Sequence, residues 1–249
     1  MKIEEWIEKL SDEAKKNVYR FERIRECIPL GLFAGGEIAL SHREQRPERY
    51  HFTFVTGQDR TEFIRRLAVV LACLYDFSEA QFLLLSPRGE FSPLLKLENA
   101  DINALYLSSS ADFEVAIQGI ESLVSMRKTG VGYPKLFVFA EGLEEIEGLC
   151  PNDPTDPYIR LKEALGTSVC ELVVSADLKD SRYFTFPGAL IGIGNCLIST
   201  KEDKKADLTY VSSDSSLCAP REICYPSDGT IEESVRFMDS LGKEEEDGE

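Results

Sequence analysis

The residues that could do chemistry begin at Phe54-Val55-Thr56-Gly57-Gln58-Asp59-Arg60-Thr61, where an apolar run passes through a glycine turn into an amphipathic stretch. A strand, a tight turn and a helix in that order are the setting of the phosphate-binding pattern GxxxxGK[ST]. There, backbone N–H groups wrap the phosphates, the Lys reaches the terminal ones and the Ser or Thr holds magnesium. In that frame Phe54 takes the first glycine position, Asp59 the second, and Arg60 replaces the Lys; only Thr61 keeps its type. Asp59 sets a carboxylate where phosphate oxygens must come close, and two like charges about 4 Å apart repel by about 4 kcal/mol at an intermediate dielectric. Arg60 keeps the positive charge, but its planar fork does not replace a compact ammonium. Weak nucleotide binding through Thr56, Gly57, Gln58, Asp59, Arg60 and Thr61 is compatible with these residues, and efficient hydrolysis is not. Taken as a motif alone, the segment also reads as an ordinary strand-to-helix turn.

Other groups carry less. Glu141, Glu144, Glu145 and Glu147 follow an apolar run and read as a metal-holding cluster or as a solvated helix start; acidic residues favour a helix N-terminus, which supports the second. Asp177, Lys179, Asp180, Ser181 and Arg182 follow another such run, where α/β folds place ligands, without convergent partners in the sequence. With only His42 and His51 and no GxSxG elbow, neither a His-rich metal site nor Ser-His-Asp catalysis is expected. Seven cysteines, Cys27, Cys73, Cys150, Cys170, Cys196, Cys218 and Cys224, show no CxxC spacing, so reduced thiols in a cytoplasmic compartment are expected. No metal site and no catalytic residue are assigned.

The elements that position these residues alternate. Ile3, Trp6, Ile7, Leu10, Ala14, Val18, Phe21 and Ile24 recur at helical spacing and predict an amphipathic helix over 1–27, docked on the core or on a neighbouring domain. IALSH is a short strand candidate. HFTFVT (51–56), QFLLLS (81–86), NALYLS (103–108), KLFVFA (135–140), CELVVSA (170–176) and ALIGIGNCLIS (189–199) read as strands. Helices are expected at 60–75, 111–127 and 158–165. Unbroken apolar runs are the mark of strands buried on both faces, and helices between them supply crossovers. The expectation is a three-layer α/β/α domain with a mainly parallel central sheet over 28–242. DLTYV (207–211) and a helix from Thr230 to Leu241 close it, PNDPTDP (151–157) reads as a surface loop, and an acidic tail over 243–249 is expected to be disordered.

Charge narrows the partners. The 28 basic against 44 acidic residues leave a formal −16, and setting aside the tail Lys243–Glu249 still leaves −12. Duplex binding draws its affinity from basic surfaces that release counterions, so nucleic acid is disfavoured as a partner and basic peptides or proteins are favoured. No apolar run approaches the roughly 18–20 residues of a membrane helix, so the segment itself is not expected to insert.

The order of the pieces resembles the motor domain of the FtsK/SpoIIIE family, a RecA-like P-loop ATPase. IPLGL (28–32) is similar to the entry into that domain, and HFTFVTGQDRTEFIRRLAVVL to the P-loop strand and helix. LLLSPRGEF (83–91) resembles the second strand and its Asp-Pro-Lys-Gly turn, with Ser86 and Arg88 as departures. PKLFVFAEGLEEI (134–146) resembles the Walker B strand and ELVVSADLKDS (171–181) the strand ending in the sensor turn; DLTYVSSDS through the last helix resembles the end of the domain. Walker B supplies a magnesium-binding Asp and a water-polarising Glu. One frame places Glu141 and Gly142 there, and a frame slipped by one places Ala140 and Glu141, so either frame lacks a carboxylate. The sensor turn reads Asp177 and Leu178. These departures resemble the degenerate modules of type VII secretion motors, membrane-anchored proteins with several ATPase modules in a row. The resemblance implies a hydrolysis-deficient module acting in substrate or protein recognition, with other modules of the same machine or a secreted protein as partners, and ATP with magnesium bound weakly if at all. The alternatives are a divergent but active ATPase and a DNA-translocase accessory subunit. A first Met leading straight into a helix and an acidic end fit either a module of a longer protein or a separate subunit.

Overall fold

A computed structural model describes residues 1–16, 27–41, 51–100, 104–129, 132–149, 160–161, 163–164, 170–177, 196–203, 205–210, 217–226 and 228–236. Ten strands form one sheet: β1 (Pro29–Phe33), β2 (Ile38–Leu40), β3 (His51–Gly57), β4 (Ala80–Ser86), β5 (Ala104–Tyr106), β6 (Lys135–Ala140), β7 (Cys170–Ser175), β8 (Cys196–Thr200), β9 (Lys205–Tyr210) and β10 (Arg221–Cys224). Their order across the sheet is β2-β1-β10-β9-β8-β3-β7-β6-β4-β5. The six strands from β8 to β5 pair in parallel, as the unbroken apolar runs predict. The remaining four add an antiparallel wing. Its hairpins explain the switch: only four residues separate β8 from β9, and four separate β1 from β2, too few for a parallel crossover.

The period of two sends alternate residues of each central strand to opposite faces. Val55, Phe82, Leu84, Phe137, Phe139, Val173 and Ile198 join one core cluster with the helices α1 (Ile3–Lys16) and α2 (Arg60–Leu74). Phe52, Phe54, Leu83, Leu85, Val138, Leu172 and Val174 join the other, with α3 (Ser110–Thr129) and α4 (Leu143–Leu149). The layers are therefore α/β/α. Helix α1 sits on the core through Ile3, Trp6 and Leu10; the stripe's continuation at Val18, Phe21 and Ile24 lies outside the described residues. So do His42, 151–157, 178–195 and 237–249, and with them the surface loop, Lys179 to Arg182, the first half of the sixth predicted strand, the end of the last helix and the acidic tail. Helix is seen at 160–161, 163–164 and 231–236, inside the two predicted spans.

Helix α2 is buried on more than one stripe, because Arg66, Val69 and Val70 are buried along with Phe63, Ile64, Leu67 and Leu71. It lies between the sheet, α1 and the C-terminal segment: Phe63 meets Tyr225 edge-on at 4.8 Å between ring centroids. Three phenylalanines of β4 and β6 pack with Phe82 edge-on to Phe137 and Phe139, at 5.7 and 5.4 Å.

Candidate functional site

Strand β3 lies inside the sheet between β7 and β8, while the chain's next strand, β4, lies two strands beyond β7. The carboxyl edge of the parallel strands is the place where open α/β sheets take ligands. The predicted site is at this edge. Gly57 is the last residue of β3 and is paired with Thr200 of β8. Helix α2 begins at Arg60, so Gln58 and Asp59 alone form the turn.

Phe54, in the first glycine position of the phosphate-binding frame, is a fully buried strand residue paired with Leu197 and Val174. Thr56 is also in the strand, opposite Ser199, and its carbonyl accepts from the Thr200 hydroxyl at 2.9 Å. The same hydroxyl accepts the Asp59 backbone N–H at 3.2 Å, which closes the turn. Gly57 has φ +101°, and a Cβ there would stand 2.3 Å from the Thr200 carbonyl oxygen. Its glycine is thus demanded by the neighbouring strand. Gln58 is exposed, and Asp59 precedes the helix with no side-chain capping bond.

The first residues of α2 are already engaged. Arg60 Nη2 donates to Glu144 Oε1 at 2.5 Å, with the two side chains 19% and 10% exposed. Its Nη1 reaches the Gly57 carbonyl at 3.5 Å, and its buried Nε has no partner among the described residues. Glu144 Oε2 accepts the Asp177 N–H at 3.1 Å. Thr61 Oγ1 donates to Glu141 Oε1 at 2.7 Å. Glu141 follows β6 and is 3% exposed, and its second oxygen is buried without a partner among the described residues. Burial pushes its carboxyl above the ordinary range; the Thr61 bond and Arg60 pull the other way, and Glu145 and Glu90 add to the rise. Glu141 belongs to both Walker B frames, and its carboxylate faces Thr61. Ala140, first in the slipped frame, points into the core.

Gly142, where the frame with Glu141 first wants a second carboxylate, has φ +69° and donates its N–H to the Ser175 hydroxyl at 3.2 Å. A side chain there would cost about 1–2 kcal/mol of backbone strain. The remaining loops are tied into the same edge. Ser86, at the Asp position of the second turn, accepts the N–H groups of Arg88 and Glu90 at 3.3 and 3.1 Å, so a hydroxyl closes this turn. Arg88 grips both oxygens of Glu145, at 2.7 and 2.5 Å, and Arg65 of α2 grips Glu90.

The acidic run therefore corrects the expectation of a solvated helix start. α4 does begin at Leu143, but Glu141 and Glu144 turn inward onto α2. Among the described residues no three His, Cys, Asp or Glu side chains form a metal-holding group. Sequence reasoning missed Thr200 and Ser175. Both are neutral hydroxyls set opposite the turn residues by β-pairing across long sequence separations, which no local pattern signals.

A raised carboxyl has a consequence for pH. The folded state holds the Glu141 proton more tightly than the unfolded chain, so ionisation of Glu141 works against the fold, and stability from this group grows as pH falls towards and through its raised value. Glu141→Gln keeps the acceptor for Thr61 and removes the titration. In thermal melts from pH 7 down to pH 4, the melting temperature of the native chain is expected to rise relative to that of Glu141→Gln. A difference that stays constant or moves the other way contradicts the assignment.

No protein-family model matches the chain, and no curated protein matches it. Solved structures do. EssC (ATPases 2 and 3) from Geobacillus thermodenitrificans superposes with a TM-score of 0.60 at 12% identity, covering 87% of this chain and 49% of that one. The cytoplasmic domain of the type VII secretion ATPase EccC from Thermomonospora curvata gives 0.58 at 11% identity, over 82% of this chain and 26% of that one. The pCW3 conjugation coupling protein TcpA, solved with ATPγS, gives 0.51 at 10% identity, over 84% and 70%. The chain spans about half or less of the type VII secretion chains it matches. Among the described residues no helix is long and apolar enough to cross a membrane. With β3 in the middle of a parallel sheet and its turn at the carboxyl edge, the chain has a RecA-like P-loop ATPase fold and resembles the FtsK/SpoIIIE-type ATPase domains of type VII secretion.

Proposed function

We propose that the chain is a hydrolysis-deficient, ATPase-like module that works through protein–protein contacts in a secretion-type motor. The observation that carries this reading is the turn after β3, only two residues long, with the Arg60 and Thr61 beyond it already held by Glu144 and Glu141. A triphosphate needs backbone N–H groups wrapped around it. Here the residues that would wrap it remain in the β3 ladder as far as Gly57. A nucleotide would have to displace Glu144 from Arg60 and approach Glu141 and Asp59, and Gly142 offers no carboxylate to polarise water. The residues present do not fit ATP with magnesium as a working cofactor.

Neighbouring modules or a secreted polypeptide are the partners this reading favours, with the module facing the cytoplasm. Support comes from EccC (ATPases 2 and 3) of Thermomonospora curvata, solved in complex with a signal sequence peptide; it superposes with a TM-score of 0.55 at 11% identity over 82% of this chain and 41% of that one. The formal −16 favours basic segments over nucleic acid. One contact favours a second reading, a divergent but active ATPase: Thr61 and Glu141 stand 2.7 Å apart, as the two magnesium-side groups of a working site would be close together. Equilibrium titration with fluorescent ATP and magnesium separates the two. The first reading expects no saturation below about 1 mM, a binding free energy of roughly −4 kcal/mol. Micromolar saturation that needs magnesium and is lost in Thr61→Ala favours the second.

A further inference from the structure

We propose that Glu144 is a tethered anion, a carboxylate of the chain itself that holds Arg60 in the role an external phosphate would take and latches the loops after β3, β6 and β7 together. This inference rests on the reading of a closed site given above and names the residue that closes it.

Three observations converge on Glu144. Its Oε1 accepts from Arg60 Nη2 at 2.5 Å, a close pairing of two opposite charges. Its Oε2 accepts the backbone N–H of Asp177, in the loop after β7. Its side chain is nearly buried, although it sits in the first turn of a surface helix where a carboxylate would ordinarily be solvated. One carboxylate thus uses both oxygens to join α2 to the β7 loop, as an oxyanion bound between a guanidinium and a backbone amide would. Arg60 meanwhile keeps a buried Nε without a partner among the described residues, so Glu144 leaves part of the guanidinium's donor capacity unused. The contact depends on α4 staying in place: Glu144 belongs to this seven-residue helix, whose entry is fixed by the Gly142 N–H bond to Ser175. A movement of α4, such as one driven by a partner docking on it, would withdraw the carboxylate and leave Arg60 and its guanidinium donors open to an anion of the phosphate class.

The test uses Glu144→Gln, which keeps the size and the acceptor for Asp177 but removes the negative charge that faces Arg60, and Glu144→Asp, which keeps the charge but is one methylene too short. The probe is inorganic tripolyphosphate without magnesium, read by calorimetry on the full chain, with the single tryptophan, Trp6, reporting the fold. Both variants are expected to bind tripolyphosphate at least about tenfold more tightly than the native chain, the scale of one freed charged donor. Adding Arg60→Ala to either is expected to remove the gain. Affinities equal to native in whichever variants fold overturn the proposal, and so does a gain that survives Arg60→Ala. A native chain that binds and turns over magnesium ATP contradicts the proposed function instead, and leaves the Glu144 proposal to be decided by the same affinity ratio.

Discussion

Gly57→Ala is expected to destabilise the fold by about 3 kcal/mol, although it adds a single methyl group. Two costs combine. The residue sits at φ +101°, which an L side chain adopts only under strain. The new Cβ would also fall 2.3 Å from the Thr200 carbonyl oxygen and 2.6 Å from its hydroxyl, and that hydroxyl closes the turn through Asp59 and Thr56. Strand β8 cannot step aside, because it is paired with β3 on one side and β9 on the other. Gln58→Ala, one residue along and exposed, serves as the control and should change stability by less than about 0.5 kcal/mol. Urea denaturation of the three proteins checks this. A loss below about 1 kcal/mol for Gly57→Ala would mean that β3 and β8 are not in register at that position. The prediction also explains why a glycine stands here in a site with no need to approach a phosphate.

Arg66→Ala is the second substitution with a large expected effect, again about 3 kcal/mol. Arg66 is 2% exposed in α2, one helical turn beyond Glu62. Its Nε donates to Glu62 Oε1 at 2.8 Å, Nη1 to the Asp228 carbonyl at 3.0 Å and to Ser234 Oγ at 3.3 Å, and Nη2 to the Gly229 carbonyl. The guanidinium is the peg on which the C-terminal segment hangs against the helix that follows β3. Truncation leaves two carbonyls and a hydroxyl without their donor and opens a cavity, each a recognised source of large losses. The Glu62 pair adds little, since Glu62 is partly exposed and screened. Arg66→Met, which refills the volume without the donors, should recover part of the loss but less than half. Full recovery would show that packing, rather than the bonds to 228–234, is what Arg66 supplies.

The sequence and the structure agree where burial is symmetric. β3, β4, β6 and β7 are unbroken apolar runs because helices cover both of their faces, and their bounds follow the runs to within a residue or two. In the antiparallel wing β2 and β9 overlap the predicted IALSH and DLTYV, while β1 and β10 were opaque for the opposite reason. β1 begins with Pro29, which ends a strand pattern on paper but is tolerated at a first strand position. β10 is four residues, Arg-Glu-Ile-Cys, of which Ile223 alone is buried. The burial of Arg66 has no local signal, because helical periodicity cannot foresee a segment more than 160 residues away folding back onto it. At the site, Arg60, Thr61 and Glu141 were legible from the phosphate-binding and Walker B frames. Glu144 was not: an acid in the first turn of a helix has a local explanation, and only the fold brings Arg60 within 2.5 Å of it.

Every conclusion about function depends on whether the turn between Thr56 and Thr61 can work on a nucleotide. Phosphate release from ATP and magnesium by the purified chain, measured beside Arg60→Ala and Glu141→Ala, tests this most directly. The expected result is a rate at the level of the buffer alone and identical in all three proteins. Turnover in the native chain that disappears in Arg60→Ala would contradict the account.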